Sequence, residues 1–119
     1  MRIIFFFLLF TVSSYAQNNN QKTAYQYYVN GDYDKAIAIY EELNSRQLST
    51  NIYSTYFISL CNLDRFSEAE KLAKKFYTKY PTRLNYLADI IISQIKQKNE
   101  KKSGNYIKKL YKKISGKNS

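Results

Sequence analysis

A pattern that recurs about every 34 residues constrains this chain more than any other feature. The small residues Ala36, Ala69 and Ser103 stand 33 and 34 positions apart. Apolar or small residues come four and seven positions after each of them: Tyr40 and Leu43, Ala73 and Phe76, Ile107 and Leu110. This spacing places the three side chains on one side of an α-helix, where a small side chain lets a neighbouring helix approach closely. The pattern therefore predicts three repeats, each with one packed helix of this kind.

A second helical pattern precedes each of these segments, so each repeat is predicted to be a helix–turn–helix pair. Breaks fall at Asn30-Gly31, at 62–64, at Tyr80-Pro81 and at 97–99, where helical hairpins need turns. Pro81 disfavours helix at the residue before it and separates the second repeat from the third. The sequence predicts an all-α repeat solenoid with six helices, near residues 18–29, 33–44, 50–62, 65–79, 83–97 and 100–114.

This arrangement resembles the tetratricopeptide repeat (TPR), a helix–turn–helix unit of about 34 residues. In the first two repeats the resemblance rests on Ala24, Tyr27, Gly31, Tyr33, Ala36, Tyr40, Phe57, Leu60, Phe66, Ala69, Phe76 and Pro81. In the third it rests on Leu87, Ile91, Ser103, Ile107 and Leu110. The resemblance implies that most of these residues pack helix against helix. The expected repeat domain covers 17–114, in repeats 17–49, 50–83 and 84–114.

The resemblance also implies a function: protein or peptide binding on a concave face built from the first helix of each repeat, without catalysis. The family's groove positions that we expect to face a partner are Tyr25, Tyr28, Asn51, Ser54, Ile58, Asn62, Asn85, Ile92 and Lys96. Aromatic, aliphatic and amide side chains suit an apolar or extended segment. The alternative is that Tyr25, Tyr28 and Ile58 only pack helix against helix. Composition excludes His-dependent catalysis and the usual zinc and haem sites, because the chain has no histidine and one cysteine; we expect no cofactor.

The N-terminus has the three-part layout of a secretory signal peptide. Arg2 precedes an apolar run over 3–12, and the small residues Ser14 and Ala16 stand at −3 and −1 before Gln17. We expect cleavage after Ala16 and export to the periplasm or the medium; the alternative is an uncleaved anchor, although a membrane span needs about 20 apolar residues. Cys61 would then lie in an oxidising compartment, either as a small buried side chain or in an intermolecular disulfide.

The net charge of +10 comes entirely from the second half of the chain. Residues 1–60 carry four basic and four acidic side chains, whereas residues 61–119 carry fifteen basic and five acidic ones. A basic face is predicted on the last helix, with Lys101, Lys102, Lys108, Lys109, Lys112 and Lys113. It is either an ordinary solvated face or a contact for an anionic membrane surface or an acidic partner. Nucleic acid is disfavoured, because arginine is scarce and exported proteins seldom meet it.

The last predicted helix also has an apolar face that is too broad for one supporting helix. Its members are Tyr106, Ile107, Leu110, Tyr111 and Ile114, and the tail 115–119, predicted to be disordered, cannot cover them. Solenoids normally end in a helix with a polar outer face. Three explanations stay open: pairing with another copy or another protein, attachment to an anionic membrane as a peripheral protein, or descent from a longer repeat protein.

Overall fold

The structure, a computed structural model, describes residues 19–116; the predicted signal peptide lies outside this range. The described residues form six α-helices and no strand. We number them α1 (19–29), α2 (Tyr33–Arg46), α3 (Thr50–Asn62), α4 (Phe66–Lys79), α5 (Leu84–Lys96) and α6 (Glu100–Ile114). The prediction of an all-α fold with six helices is confirmed, and the bounds of α2 to α6 agree with it to within two residues.

The turn inside each predicted repeat has the same backbone geometry. Its central residue is left-handed, with φ of 81° at Gly31, 56° at Asp64 and 59° at Lys98. In each turn the next residue's amide donates to the carbonyl five positions earlier, over 2.8, 2.9 and 3.0 Å. The period seen in the sequence is thus also a period of the backbone. Glycine adopts a positive φ readily, aspartate adopts it less readily, and the long side chain of lysine makes it least favourable of the three.

The described chain divides into two compact units, and the division falls between Ser59 and Leu60 within the sequence of α3. The N-terminal unit contains α1, α2 and most of α3. Its buried apolar residues are Ala24, Ala36, Ile37, Tyr40, Ile52, Tyr53, Tyr56 and Phe57. The rings of Tyr40 and Tyr56 stack with their centroids 5.6 Å apart. Ala24 and Ala36 are fully buried, in keeping with small residues at close helix contacts.

The C-terminal unit contains the last turn of α3 with α4, α5 and α6. Helix α5 packs against both α4 and α6. The buried apolar residues here are Leu60, Ala69, Leu72, Ala73, Phe76, Tyr77, Tyr86, Leu87, Ile90 and Ile91. Ser103, the third small residue of the repeat pattern, is also buried. Tyr27 and Leu110 are half-buried, and the turn residues Gly31 and Pro81 are exposed.

Ile107 departs from its predicted packing role, because its side chain is 47% exposed. It occupies the repeat position of Tyr40 and Ala73, both of which are buried. Those two residues lie on helices that are followed by another helix, whereas α6 is the last helix of the described range. Ser115 and Gly116 come after α6 as a turn, and the remainder of the predicted tail lies outside the described residues.

Candidate functional site

The N-terminal unit contains an open cavity of about 420 Å³. Its walls come from all three helices of the unit: Gln21, Lys22, Tyr25 and Gln26 of α1, Tyr40 of α2, and Asn51, Ile52 and Thr55 of α3. Ligand pockets in proteins span roughly 300–1,000 Å³. A cavity of this volume accommodates one large side chain or a short stretch of peptide.

Two hydroxyl groups, those of Tyr40 and Thr55, are hydrogen-bonded to each other in the inner part of the cavity. Tyr40 is almost fully buried, and its hydroxyl lies 2.8 Å from the Thr55 hydroxyl. The Thr55 hydroxyl is also 3.3 Å from the Ile52 carbonyl. Burial raises the pKa of Tyr40, and the hydrogen bond with Thr55 offsets this only in part. The phenol is therefore neutral at physiological pH, and its ring stacks on that of Tyr56.

The outer part of the cavity is polar and accessible. Gln26 and Asn51 are exposed amides, and Tyr25 presents a ring that is 54% exposed. An amide offers both a donor and an acceptor, so it matches the backbone of an extended peptide. Lys22 adds one exposed cation at this rim. The arrangement provides an apolar contact, backbone-type hydrogen bonds and one charge, without a nucleophile–base pair among these residues.

Two of the predicted groove residues of the N-terminal unit, Tyr25 and Asn51, line this cavity together. Tyr28 does not line it, but its ring lies 6.0 Å from that of Tyr25 and 6.1 Å from that of Tyr33. Ser54 and Ile58 are exposed on α3 without lining the cavity.

The lining residues that the groove prediction missed have ordinary helical spacing. Lys22 and Gln26 are four positions apart on α1, and Asn51 and Thr55 are four positions apart on α3. Residues at this spacing share a face of a helix. Polar residues spaced four apart and adjacent to predicted groove residues are the sequence signal that could have identified these lining residues. The repeat pattern predicts only packing for Tyr40, whereas this residue both packs and lines the cavity.

In the C-terminal unit, the predicted groove residues Asn62, Asn85, Ile92 and Lys96 are all exposed. Cys61, which precedes Asn62 on α3, is half-buried and has a free thiol. Burial raises the pKa of this thiol; Asp89 raises it further, and Lys96 acts in the opposite direction. The thiol form therefore dominates at neutral pH, which makes Cys61 a poor nucleophile.

The predicted basic face divides into two groups of lysines. Lys109 and Lys113 lie over the ring of Tyr77, with Nζ 5.2 and 4.9 Å from its centroid. Lys113 also donates to the Pro81 carbonyl over 3.1 Å. These two lysines therefore contact a buried aromatic ring of their own unit. The side chains of the other group are exposed and form no hydrogen bond, ion pair or ring contact within the described chain: Lys101, Lys102, Lys108 and Lys112.

No family model matches this chain, and no curated protein or solved structure shows significant similarity to it. Among residues 19–116, no group of three histidine, cysteine or acidic side chains is placed to hold a metal ion. None of the helices in that same range is long and apolar enough to cross a membrane.

Proposed function

We propose that this chain is a TPR-type scaffold that binds an extended segment of another protein and catalyses no reaction. The observation that carries the proposal is the cavity of the N-terminal unit. It lies where the first helix of repeat one, α1, and the first helix of repeat two, α3, contribute lining residues. The resemblance to the TPR family assigns ligand contacts to these first helices.

The cavity also supports a particular kind of ligand. One apolar or aromatic side chain fits its volume and contacts the rings of Tyr25 and Tyr40. The flanking peptide groups then reach the amides of Gln26 and Asn51, and a carboxylate or carbonyl of the ligand reaches Lys22. In such recognition a few buried side chains supply most of the binding energy, and hydrogen bonds fix the direction in which the peptide runs. Among the groove positions in the C-terminal unit, the exposed Ile92 and Lys96 are proposed to contact the same class of ligand.

The double variant Tyr25→Ala/Asn51→Ala tests this site. We expect partner affinity to fall by about 30-fold, because the variant removes an aromatic contact and a hydrogen-bonding amide together, and a loss of this size corresponds to about 2 kcal/mol. Helix content should not change, since both side chains are exposed. The measurement is capture of partners by the immobilised full-length chain from an envelope extract, after a high-salt wash, with circular dichroism of each variant.

The matched control is Glu42→Ala/Arg46→Ala, which removes an exposed ion pair on α2 of the same unit. It should capture the same protein as the unmodified chain. If both double variants capture that protein equally well, the cavity is not the binding site. If every captured partner leaves in high salt, binding is governed by charge and the cavity proposal fails.

We also propose that the chain is exported and that its signal peptide is removed after Ala16. Small side chains such as those of Ser14 and Ala16 are required by signal peptidase at −3 and −1. The intact mass of the protein recovered from outside the cytoplasm should match a chain that begins at Gln17. A recovered mass that includes Met1 contradicts cleavage, and recovery only from the cytoplasm contradicts export.

A further inference from the structure

Helix α6 carries a line of apolar side chains that its own unit does not bury. Ile107 is 47% exposed, and Tyr111 and Ile114 are each 68% exposed. They stand at positions i, i+4 and i+7, so they share one face over two turns. The side of α6 that is covered is different, with Ser103 buried and Tyr106 and Leu110 half-buried. We call Ile107, Tyr111 and Ile114 the α6 stripe.

Lysines whose side chains form no hydrogen bond, ion pair or ring contact within the described chain border the α6 stripe on one side. Lys108 follows Ile107, and Lys112 follows Tyr111, so each projects about 100° further round the helix than its apolar neighbour. Lys101 lies about two turns before Lys108 on the same side. By contrast, Lys109 and Lys113 are directed to Tyr77. The helix therefore presents an apolar line with a row of accessible ammonium groups beside it.

Charge complementarity identifies an anionic partner for this face. Helix α6 contains six lysines against a single acidic residue, Glu100, which lies in its first turn. A row of ammonium groups beside exposed isoleucine and tyrosine side chains suits a surface that is negatively charged outside and apolar beneath. We infer that α6 docks on an anionic lipid surface through the α6 stripe, with Lys101, Lys108 and Lys112 at the headgroups.

A lipid surface fits this face better than an acidic protein does. The stripe has only three side chains, whereas a standard protein interface buries roughly 800 Å² on each partner. All the basic residues of α6 are lysines, whose flexible stems reach headgroups while the apolar neighbours insert. Arginine, with its rigid fork for pairing carboxylates, is absent from the helix. Tyr111 suits the boundary between headgroups and acyl chains.

This inference is independent of the peptide-binding proposal, because the stripe and the cavity share no residue. It adds a place of action: α6 holds the chain at a membrane surface while the cavity of the N-terminal unit receives a ligand. Loss of vesicle binding would leave the peptide-binding proposal standing, and loss of peptide binding would leave this one standing.

The variant Tyr111→Trp supplies a direct reporter, since the chain has no other tryptophan. With vesicles of phosphatidylcholine containing about one quarter phosphatidylglycerol, we expect its emission to shift to shorter wavelength. Vesicles of phosphatidylcholine alone should leave it unchanged. The full-length chain is suitable, because binding through the apolar run at 3–12 would not depend on Lys108 and Lys112 and would not itself carry an indole at position 111 into the apolar layer. An unchanged spectrum with anionic vesicles overturns the inference.

Neutralising the accessible lysines in this tryptophan background tests the charge component. Lys108→Gln/Lys112→Gln should weaken binding to the anionic vesicles by about 25-fold, at roughly fivefold for each lysine near the surface. The matched control is Lys71→Gln/Lys75→Gln, which removes two exposed lysines from α4 of the same unit. The control should change affinity less than about threefold. Equal losses in the two pairs would show diffuse attraction and overturn the assignment to α6.

Two other partners could cover this face, a second copy of the chain and an acidic polypeptide, and each has its own test. A concentration-dependent dimer that Ile107→Ser/Ile114→Ser abolishes would show that a second copy covers the stripe, against the lipid proposal. An equal blue shift on adding polyglutamate would point to an acidic polypeptide and contradict it as well. A monomer whose tryptophan responds to anionic vesicles alone supports the lipid surface.

Discussion

Truncation of Phe76 to alanine should destabilise the C-terminal unit by about 3–5 kcal/mol. Phe76 is fully buried on α4, and its ring centroid lies 5.4 Å from that of Tyr86 and 6.5 Å from that of Tyr80. The variant loses the transfer free energy of the ring and leaves a cavity that the helices cannot fully close. Domains are stable by only about 5–15 kcal/mol, so this is a large share of the total.

Urea denaturation followed by circular dichroism measures the loss caused by Phe76→Ala, and hydrogen exchange shows where it occurs. Protection should fall in α4 and α5, which carry Phe76 and Tyr86. The control is Lys75→Ala, an exposed neighbour on the same helix, which should change stability by less than about 0.5 kcal/mol. A loss below about 1 kcal/mol for Phe76→Ala would contradict the buried position of this ring.

The helices were predictable because their signals are local. The spacing of apolar residues defines one face of a helix, and helix-breaking residues define where the helix ends. The turns at Gly31 and Pro81 are set by residues whose backbone preferences act within a few positions. The left-handed turns at Asp64 and Lys98 lack that signal, since neither residue is glycine. They are predictable only because the repeat period demands a turn there.

The burial of α6 is less predictable, because it depends on which elements lie next to the helix in space. Ile107 matches the packed position of the earlier repeats, yet it is exposed on α6, the last helix of the described range. The lysines show the same limit. Sequence places Lys109 and Lys112 on one basic face, and only the structure directs Lys109 to the Tyr77 ring.

The candidate site shows which part of a binding surface a repeat pattern can predict. Tyr25 and Asn51 are expected to face a ligand from the family's groove positions, and both line the cavity. Their partners there, Thr55 and Tyr40, come from different helices and are joined by a hydroxyl contact. A contact between residues fifteen positions apart leaves no mark on helical periodicity. The volume of the cavity and the polarity of its inner part therefore cannot be predicted from the sequence.

Replacement of Glu70 by alanine is expected to cost about 2–3 kcal/mol. Glu70 is nearly buried on α4 and accepts from Lys74 Nζ at 2.7 Å, from Gln97 Nε2 at 2.8 Å and from Gln94 Nε2 at 3.2 Å. Gln94 is fully buried, and its Oε1 already has no partner within the described residues. The alanine variant would strand the whole amide of Gln94 in the core, so urea denaturation should detect a loss well beyond that of an exposed ion pair.

Acidification should remove the contribution of Glu70 to folding stability, because it protonates the carboxylate. Burial raises the pKa of this carboxyl, but the hydrogen bonds from Lys74, Gln97 and Gln94 together outweigh it, so the pKa lies below its ordinary value of 4.5. Because the folded state holds the proton less tightly, the contribution is fully present above about pH 4.5 and is lost as the pH falls through the lower, folded value. The stability gap between the unmodified chain and Glu70→Gln should therefore shrink in that window.

Glu68→Gln is the control: Glu68 pairs with Arg65 at the exposed start of α4, and its removal should cost less than about 1 kcal/mol. A gap for Glu70→Gln that stays constant down to acid pH would show that Glu70 stabilises the fold by packing rather than by its charge.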